Sequence, residues 1–344
     1  MSGHLHVVLP GDIDSAATPS GGNRYDREVC AGLAALGWTV REHRADLEPL
    51  DALLAARPDG ALVLLDGLVA SAHPDPLAAH AARLRLVVLV HLPFGDDDPA
   101  ARPAEARALR AATTVIATSD WTGRRLAELY DLPADRIGVA PPGVAPAPAA
   151  PGSGTGGALL CVAVLGRHKG HDVLVEALAG LPGEWTCVCA GAVERDPAFV
   201  AGLRARIDAA GLDGRLTLAG PLAGAALDAL YAGADLLVHP SRGETYGMVA
   251  AEALARGIPV LATTAKGLPD AVGRAPDGTV PGLLVPPGDP GALASALRRW
   301  LADPALRRRL RAAALARRAT LDGWASTAAA VAAALSRQRA PAWD

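Results

Sequence analysis

The sequence predicts an α/β protein made of doubly wound parallel sheets, and three observations carry that expectation. Short apolar runs recur along the chain with helical periods between most of them, the pattern of strands buried on both faces that alternate with helices. The series occurs twice, on either side of the segment 141–157, PPGVAPAPAAPGSGTGG, whose composition is that of a linker. At 344 residues the chain is also long enough for two domains of ordinary size. The expected boundaries are a first domain over 1–144, a linker over 145–157, a second domain over 158–320, and a C-terminal helix over 321–344 that crosses back onto the first domain.

Taken in order, residues 5–9 (LHVVL) read as the first strand, followed by a polar loop that contains Gly21, Gly22 and Asn23. A helical period from about Arg24 carries Val29, Leu33 and Leu36 and stops at Gly37. Further strands are expected at 61–65, 86–90, 114–118 and 137–140. The second half offers strands at 158–164, 186–190, 215–219, 235–239, 258–262 and 282–285, separated by helices at 171–180, 196–210, 223–233, 246–256 and 291–302. From Pro304 the tail reads as helix to its end.

Composition narrows the function. A net charge of −3 argues against a nucleic-acid partner. Cys30, Cys161, Cys187 and Cys189 form no CxxC pair and read as buried reduced thiols of a cytoplasmic protein. The opening MSGHLHVVLPGDID has too short an apolar run for a signal peptide, and no run reaches the ~18 residues that span a membrane. Only Lys169 and Lys266 are lysines, against 31 arginines. The arginines of the tail (Arg307, Arg308, Arg309, Arg311, Arg317, Arg318) read as a solvated helix face, with peripheral contact to an anionic membrane as the sharper alternative.

The most informative stretch is Ala234 to Asp270, which reads as strand, polar loop, helix, strand. Glu244 lies in the loop, where free backbone N–H groups gather before a helix, and Glu252 lies two turns into that helix. Such a unit suits a diphosphate on the helix start with sugar hydroxyls on two carboxylates. Gly166-Arg167-His168-Lys169-Gly170 follows the first strand of the second half, where parallel sheets bind ligands and cations meet phosphate. By contrast GSGTGG (152–157) precedes a strand and reads as linker, not as a dinucleotide fingerprint. Asp96-Asp97-Asp98 stands before Pro99 and reads as helix capping, with a metal cluster as the alternative.

These residues resemble glycosyltransferase family 4. The resemblance rests on Gly-Glu-Thr-Tyr-Gly (243–247), the Glu-x7-Glu pair Glu244/Glu252, Gly-Ile-Pro-Val (257–260), RHKGHDVLVEAL and the loop from Gly282 to Asp289. In the first half Gly21-Gly22, His91-Leu-Pro and Thr118 to Thr122 are similar to further segments of the family. The basic pair departs from the usual spacing, since Arg167 and Lys169 have only His168 between them, and Asp270 replaces the more common glutamate.

The resemblance implies the GT-B fold, two Rossmann-like domains facing each other across a cleft, and a retaining transferase that needs no metal or other cofactor. It implies a nucleotide-sugar donor and a sugar, lipid-linked or small-molecule acceptor. Glu252 would bind ribose hydroxyls and Glu244 those of the transferred sugar. Thr245, Tyr246, Gly247 and Met248 would meet the diphosphate, with Gly21 and Gly22 also on the donor. Arg167 and Lys169 would stabilise the leaving phosphate, and His91 would face the sugar. Attack on the same face, with the leaving phosphate taking the acceptor's proton, is the expected course, the domains closing about 141–157, and loops 10–24 and 91–100 reading the acceptor. A GT-B epimerase and a nucleotide-sugar-binding protein without turnover are the rival expectations. A dehydrogenase is disfavoured because the glycine fingerprint lacks its strand-to-helix context.

Overall fold

The computed structural model describes residues 3–15, 20–192 and 196–337. Residues 16–19 of the loop expected to read the acceptor, and the last residues of the tail expected to be helical, lie outside them. The chain forms two compact units, one from the residues up to Gly143 with those from Asp322 onward, the other Val144–Leu321.

The first unit runs β1 (His4–Leu9), α1 (Gly21–Ala35), β2 (Thr39–Arg44), α2 (Leu50–Ala55), β3 (Leu62–Asp66), α3 (Gly67–Ala72), α4 (Pro74–His80), β4 (Arg85–Val90), α5 (Phe94–Asp97), α6 (Arg102–Ala111), β5 (Thr114–Ala117), α7 (Asp120–Tyr130) and β6 (Ile137–Val139). Its sheet has the order β2-β1-β3-β4-β5-β6, all parallel. Successive residues of β1 and β3 enter opposite layers of core. Val8, Val63 and Leu65 pack with α2 and α6, while Leu5, Val7, Leu62 and Leu64 pack with α1. Double-sided burial is why these strands read as unbroken apolar runs.

The second unit runs β7 (Ala158–Val162), α8 (His171–Leu178), β8 (Thr186–Ala190), α9 (Pro197–Ala209), β9 (Leu216–Gly220), α10 (Gly224–Gly233), β10 (Leu236–His239), α11 (Met248–Ala255), β11 (Val260–Thr263), α12 (Leu268–Val272), β12 (Gly282–Val285), α13 (Pro290–Ala302) and α14 (Pro304–Arg318). Its parallel sheet, β12-β11-β10-β7-β8-β9, reverses its order between β7 and β10. Loops at the carboxyl ends of those two strands therefore flank the position where doubly wound sheets bind ligands. Asp-Pro steps open α9, α13 and α14. In each, the aspartate accepts from a first-turn N–H, and proline sits where no N–H is needed.

The structure corrects several expectations. Gly21 and Gly22 form the first turn of α1, not a loop. The edge strand β2 was missed because TVREHR is polar and largely exposed. The tail is not one helix: α14 ends at Arg318, and α15 (Trp324–Ser336) returns to the first unit, where Val331, Ala334 and Leu335 join its core. Residues 150–157 are not a free linker. Ala150 and Gly152 donate to Arg256 and Ala232 carbonyls, Asp235 accepts from the Ser153 and Ala158 amides, and Trp300 donates to Gly156 O at 2.7 Å. Four of the six tail arginines fasten backbone. Arg307 donates to Trp300 and Leu301 carbonyls, Arg311 to Gly257 and Ala150, Arg318 to Ala255 and Ala147, and Arg317 to Thr320. Arg308 and Arg309 remain exposed. No described helix is long and apolar enough to cross a membrane.

Candidate functional site

The loops after β7 and β10 meet around Glu244. Its Oε1 accepts from Lys169 Nζ at 2.6 Å and lies 3.0 Å from His239 Nε2. The carboxylate is 13% exposed, Lys169 is 21% exposed, and His239 is buried at the end of β10. Burial on its own pushes the Glu244 carboxyl up. The Lys169 ammonium and the His239 contact overcome that and hold it well below the ordinary carboxylate range. The site thus contains a carboxylate kept ionised in a dry setting and an ammonium fixed by it.

What brings the loops together is local chemistry. Lys169 ends a single 3-10 turn, Arg167–Lys169, and Gly170 follows with φ 72°. A Cβ there would lie 2.1 Å from Pro240 O, so only glycine lets the two loops touch. Arg242 forks onto Asp172 at 2.8 and 2.9 Å and donates to Arg167 O. Ser241 Oγ donates to His168 O, and Thr263 Oγ1 to Ser241 O. His239, Ser241, Arg242 and Asp172 were not singled out beforehand. Their signal was present in HPSRGE, where a histidine closes a strand and an arginine precedes the glutamate.

Arg167 and Lys169 contact different groups. The Arg167 side chain is 76% exposed, 3.8 Å from Asp196, with its guanidinium over the Phe199 ring. Two residues of a 3-10 turn point to different sides, so their nearness in sequence does not bring their charges together. Past Thr245 and Tyr246, Gly247 takes φ 106° and α11 begins at Met248 with no side-chain cap, leaving the helix start to an anion. The Tyr246 ring packs with Val144, Ala251 and Ala255. Glu252 faces out of α11, where its Oε2 accepts from Tyr231 OH at 3.0 Å, and Arg256 covers the Tyr231 ring.

In the first unit His91 stands beyond β4, and Gly22 in α1 lies against its ring. Glu105 accepts from the Phe94 and Gly95 amides and thereby fixes the loop after His91. Asp96 pairs with Arg125, and Asp98 accepts from the Ala100 amide. Cys161, His171 and Cys189 place one ligand atom each within 4.8 Å of the others, a set that could take a soft metal ion in the core beneath α8.

The family model "Glycosyl transferases group 1" matches residues 151–317, and "Glycosyltransferase Family 4" matches 66–147. The chain belongs to glycosyltransferase family 4. Among its relatives, the D-inositol 3-phosphate glycosyltransferase of Kineococcus radiotolerans is 35% identical over 68% of this chain and 59% of its own. The protein of that name from Xylanimonas cellulosilytica is 34% identical over 66% and 57%. The family 4 chain thus spans less than two thirds of these relatives. Among solved structures, Anabaena HepE in complex with UDP and glucose superposes with a TM-score of 0.79 at 20% identity over 97% of this chain and all (100%) of its own. Sucrose-phosphate synthase from Thermosynechococcus elongatus does so with 0.77 at 23% identity over 96% and 97%. These likenesses give the GT-B fold with two Rossmann-like domains.

Proposed function

We propose that this protein moves a sugar from a nucleotide-diphosphate sugar to an acceptor hydroxyl, with retention and without a metal ion. The observation that carries the reading is Glu244. It is a largely buried carboxylate held ionised by Lys169 and His239, at a ligand-binding switch point and one loop away from an uncapped helix start. Glu244 binds hydroxyls of the transferred sugar, Glu252 those of the ribose, and the amides from Thr245 to Met248 meet the diphosphate. Lys169 offsets the charge that grows on the leaving phosphate, which is electrostatic catalysis through a fixed cation. Arg167, exposed and on another side of the turn, is left to steer the donor. The first unit, through His91, serves the sugar and its acceptor.

The named relatives suggest D-inositol 3-phosphate as the first acceptor to try, and HepE suggests UDP-glucose as the first donor. A thermal-shift panel of nucleotide-sugars identifies the donor, because a ligand at a hundredfold excess over its Kd adds about 2.7 kcal/mol to stability. Transfer in excess EDTA, with the product's anomeric configuration read by NMR, then tests the rest. Inverted product, or activity that returns only with Mn²⁺, overturns the retaining, metal-independent reading.

A further inference from the structure

Two buried acids surround His91, and no motif drew attention to either. His91 follows β4, Asp66 closes β3, and Asp26 lies in the second turn of α1. In the first sheet β1 and β3 are neighbours where the strand order reverses, so the cluster occupies the ligand-binding end of that sheet. His91 Nε2 is 2.9 Å from Asp26 Oδ1 and 3.4 Å from Asp66 Oδ2. The ring meets the edge of Tyr25 at 5.1 Å, and a Cβ on Gly22 would stand 3.3 Å from its Cδ2. The histidine is thus gripped on three sides while its side chain stays 22% exposed. Asp26 Oδ2 is buried without a hydrogen-bond partner, a cost that a merely structural histidine does not call for.

Asp26 Oδ1 accepts from Nε2 and the Asp66 carboxylate stands near the same nitrogen, so the proton of the neutral ring belongs on Nε2 and the working atom is Nδ1. We propose that Asp26 and Asp66 are positioning residues that fix this arrangement and present His91 Nδ1 as the hydrogen-bond acceptor for a hydroxyl of the sugar substrate. The role rests on the transferase reading above.

A pH signature follows. The titratable or charged groups facing His91 are Asp26 and Tyr25 from α1 and Asp66 from β3, and the Tyr25 hydroxyl is committed to Ala140 O at 2.8 Å. Burial alone disfavours a second proton on His91. Asp26, then Asp66, more than offset this, so the ring titrates above its ordinary value of 6.5. Below that point Nδ1 carries a proton and cannot accept, and transfer declines as pH falls. Asparagine at 26 keeps an oxygen for Nε2–H but removes the charge, which moves the His91 titration to lower pH.

The experiment is ¹⁵N NMR of His91 in the full chain, with Asp26→Asn alongside and the pH profile of kcat measured for both. The expected wild type has its neutral proton on Nε2 and a midpoint above 6.5. In Asp26→Asn the midpoint and the acid limb of kcat both fall by about one pH unit. At the plateau kcat drops about tenfold with little change in donor KM. A proton on Nδ1 in the neutral ring, or a midpoint at or below 6.5, overturns the proposal, and this wild-type spectrum decides even if the variant does not fold. An acid limb that stays put while the NMR midpoint moves overturns the substrate role. A wild-type chain that transfers nothing from any donor counts against the transferase reading instead, and leaves the spectrum to judge how His91 is held.

Discussion

Glu244, Glu252 and Asp66 are acids with different fates, and each fate is testable at the level of the residue. Glu244 is held ionised by Lys169 and His239, so its folded value lies below its ordinary 4.5. A depressed acid contributes stability that is present above the unfolded value and is lost as pH falls below it. Wild type should therefore exceed Glu244→Gln in Tm at pH 7, with the gap narrowing below pH 4.5. Glu252, on the surface of α11, should govern donor affinity. Glu252→Ala is expected to raise the donor Kd about 10- to 100-fold, the value of a hydrogen bond to a charged group, while leaving turnover of bound donor largely intact. Asp66 is opposite in sign. Burial, then the nearby Asp26, pushes it up to about 6, so its ionised form costs stability as pH rises through that value. Asp66→Asn keeps an oxygen for the amides of α3 and should raise Tm at pH 8 more than at pH 5, as active-site acids often trade stability for function. The sequence made Glu244 and Glu252 visible because their spacing is local. It hid Asp26 and Asp66, whose meaning depends on two strand ends and a helix meeting at His91.

Elements were legible where burial was double-sided or a cap was local. The strands β1, β3, β4, β7, β8 and β10 stand out as apolar runs because helices cover both faces of each sheet. The polar edge strand β2 did not, since its pairing with β1 comes from backbone bonds and leaves its side chains to solvent. The glycine start of α1 was read as loop because Gly21 and Gly22 are poor helix formers, although Ser20 stands at the N-cap. The loop pair around Glu244 depends on Gly170, and that gives an element-level prediction. Gly170→Ala would force a Cβ onto the Pro240 carbonyl from a left-handed backbone. It should cost about 2 kcal/mol in urea unfolding and reduce transfer more than a surface glycine change does, because Lys169 shifts with the turn.

For the whole molecule, the two α/β halves were evident from the doubled series of runs. The crossing points at Gly143–Val144 and Leu321–Asp322 fall within a residue of the boundaries expected at 144 and 321, whereas residues 150–157 have linker composition but are bonded into the second unit. The return of α15 completes the first core, where Ala328 lies against Gly32 and Val331, Ala334 and Leu335 are buried. A chain ending at Leu321 should expose that face of α1, bind an apolar dye and show an earlier first transition on heating, with the second unit little affected. Transfer by this site turns on the charge at the leaving group, and Lys169 is the residue that shows it. The measurement is single-turnover transfer from the identified nucleotide-sugar in excess EDTA, wild type against Lys169→Ala. The expected result is a fall of about 10²- to 10³-fold in the rate of transfer with the donor Kd changed far less. A Lys169→Ala protein that transfers at the wild-type rate would contradict it.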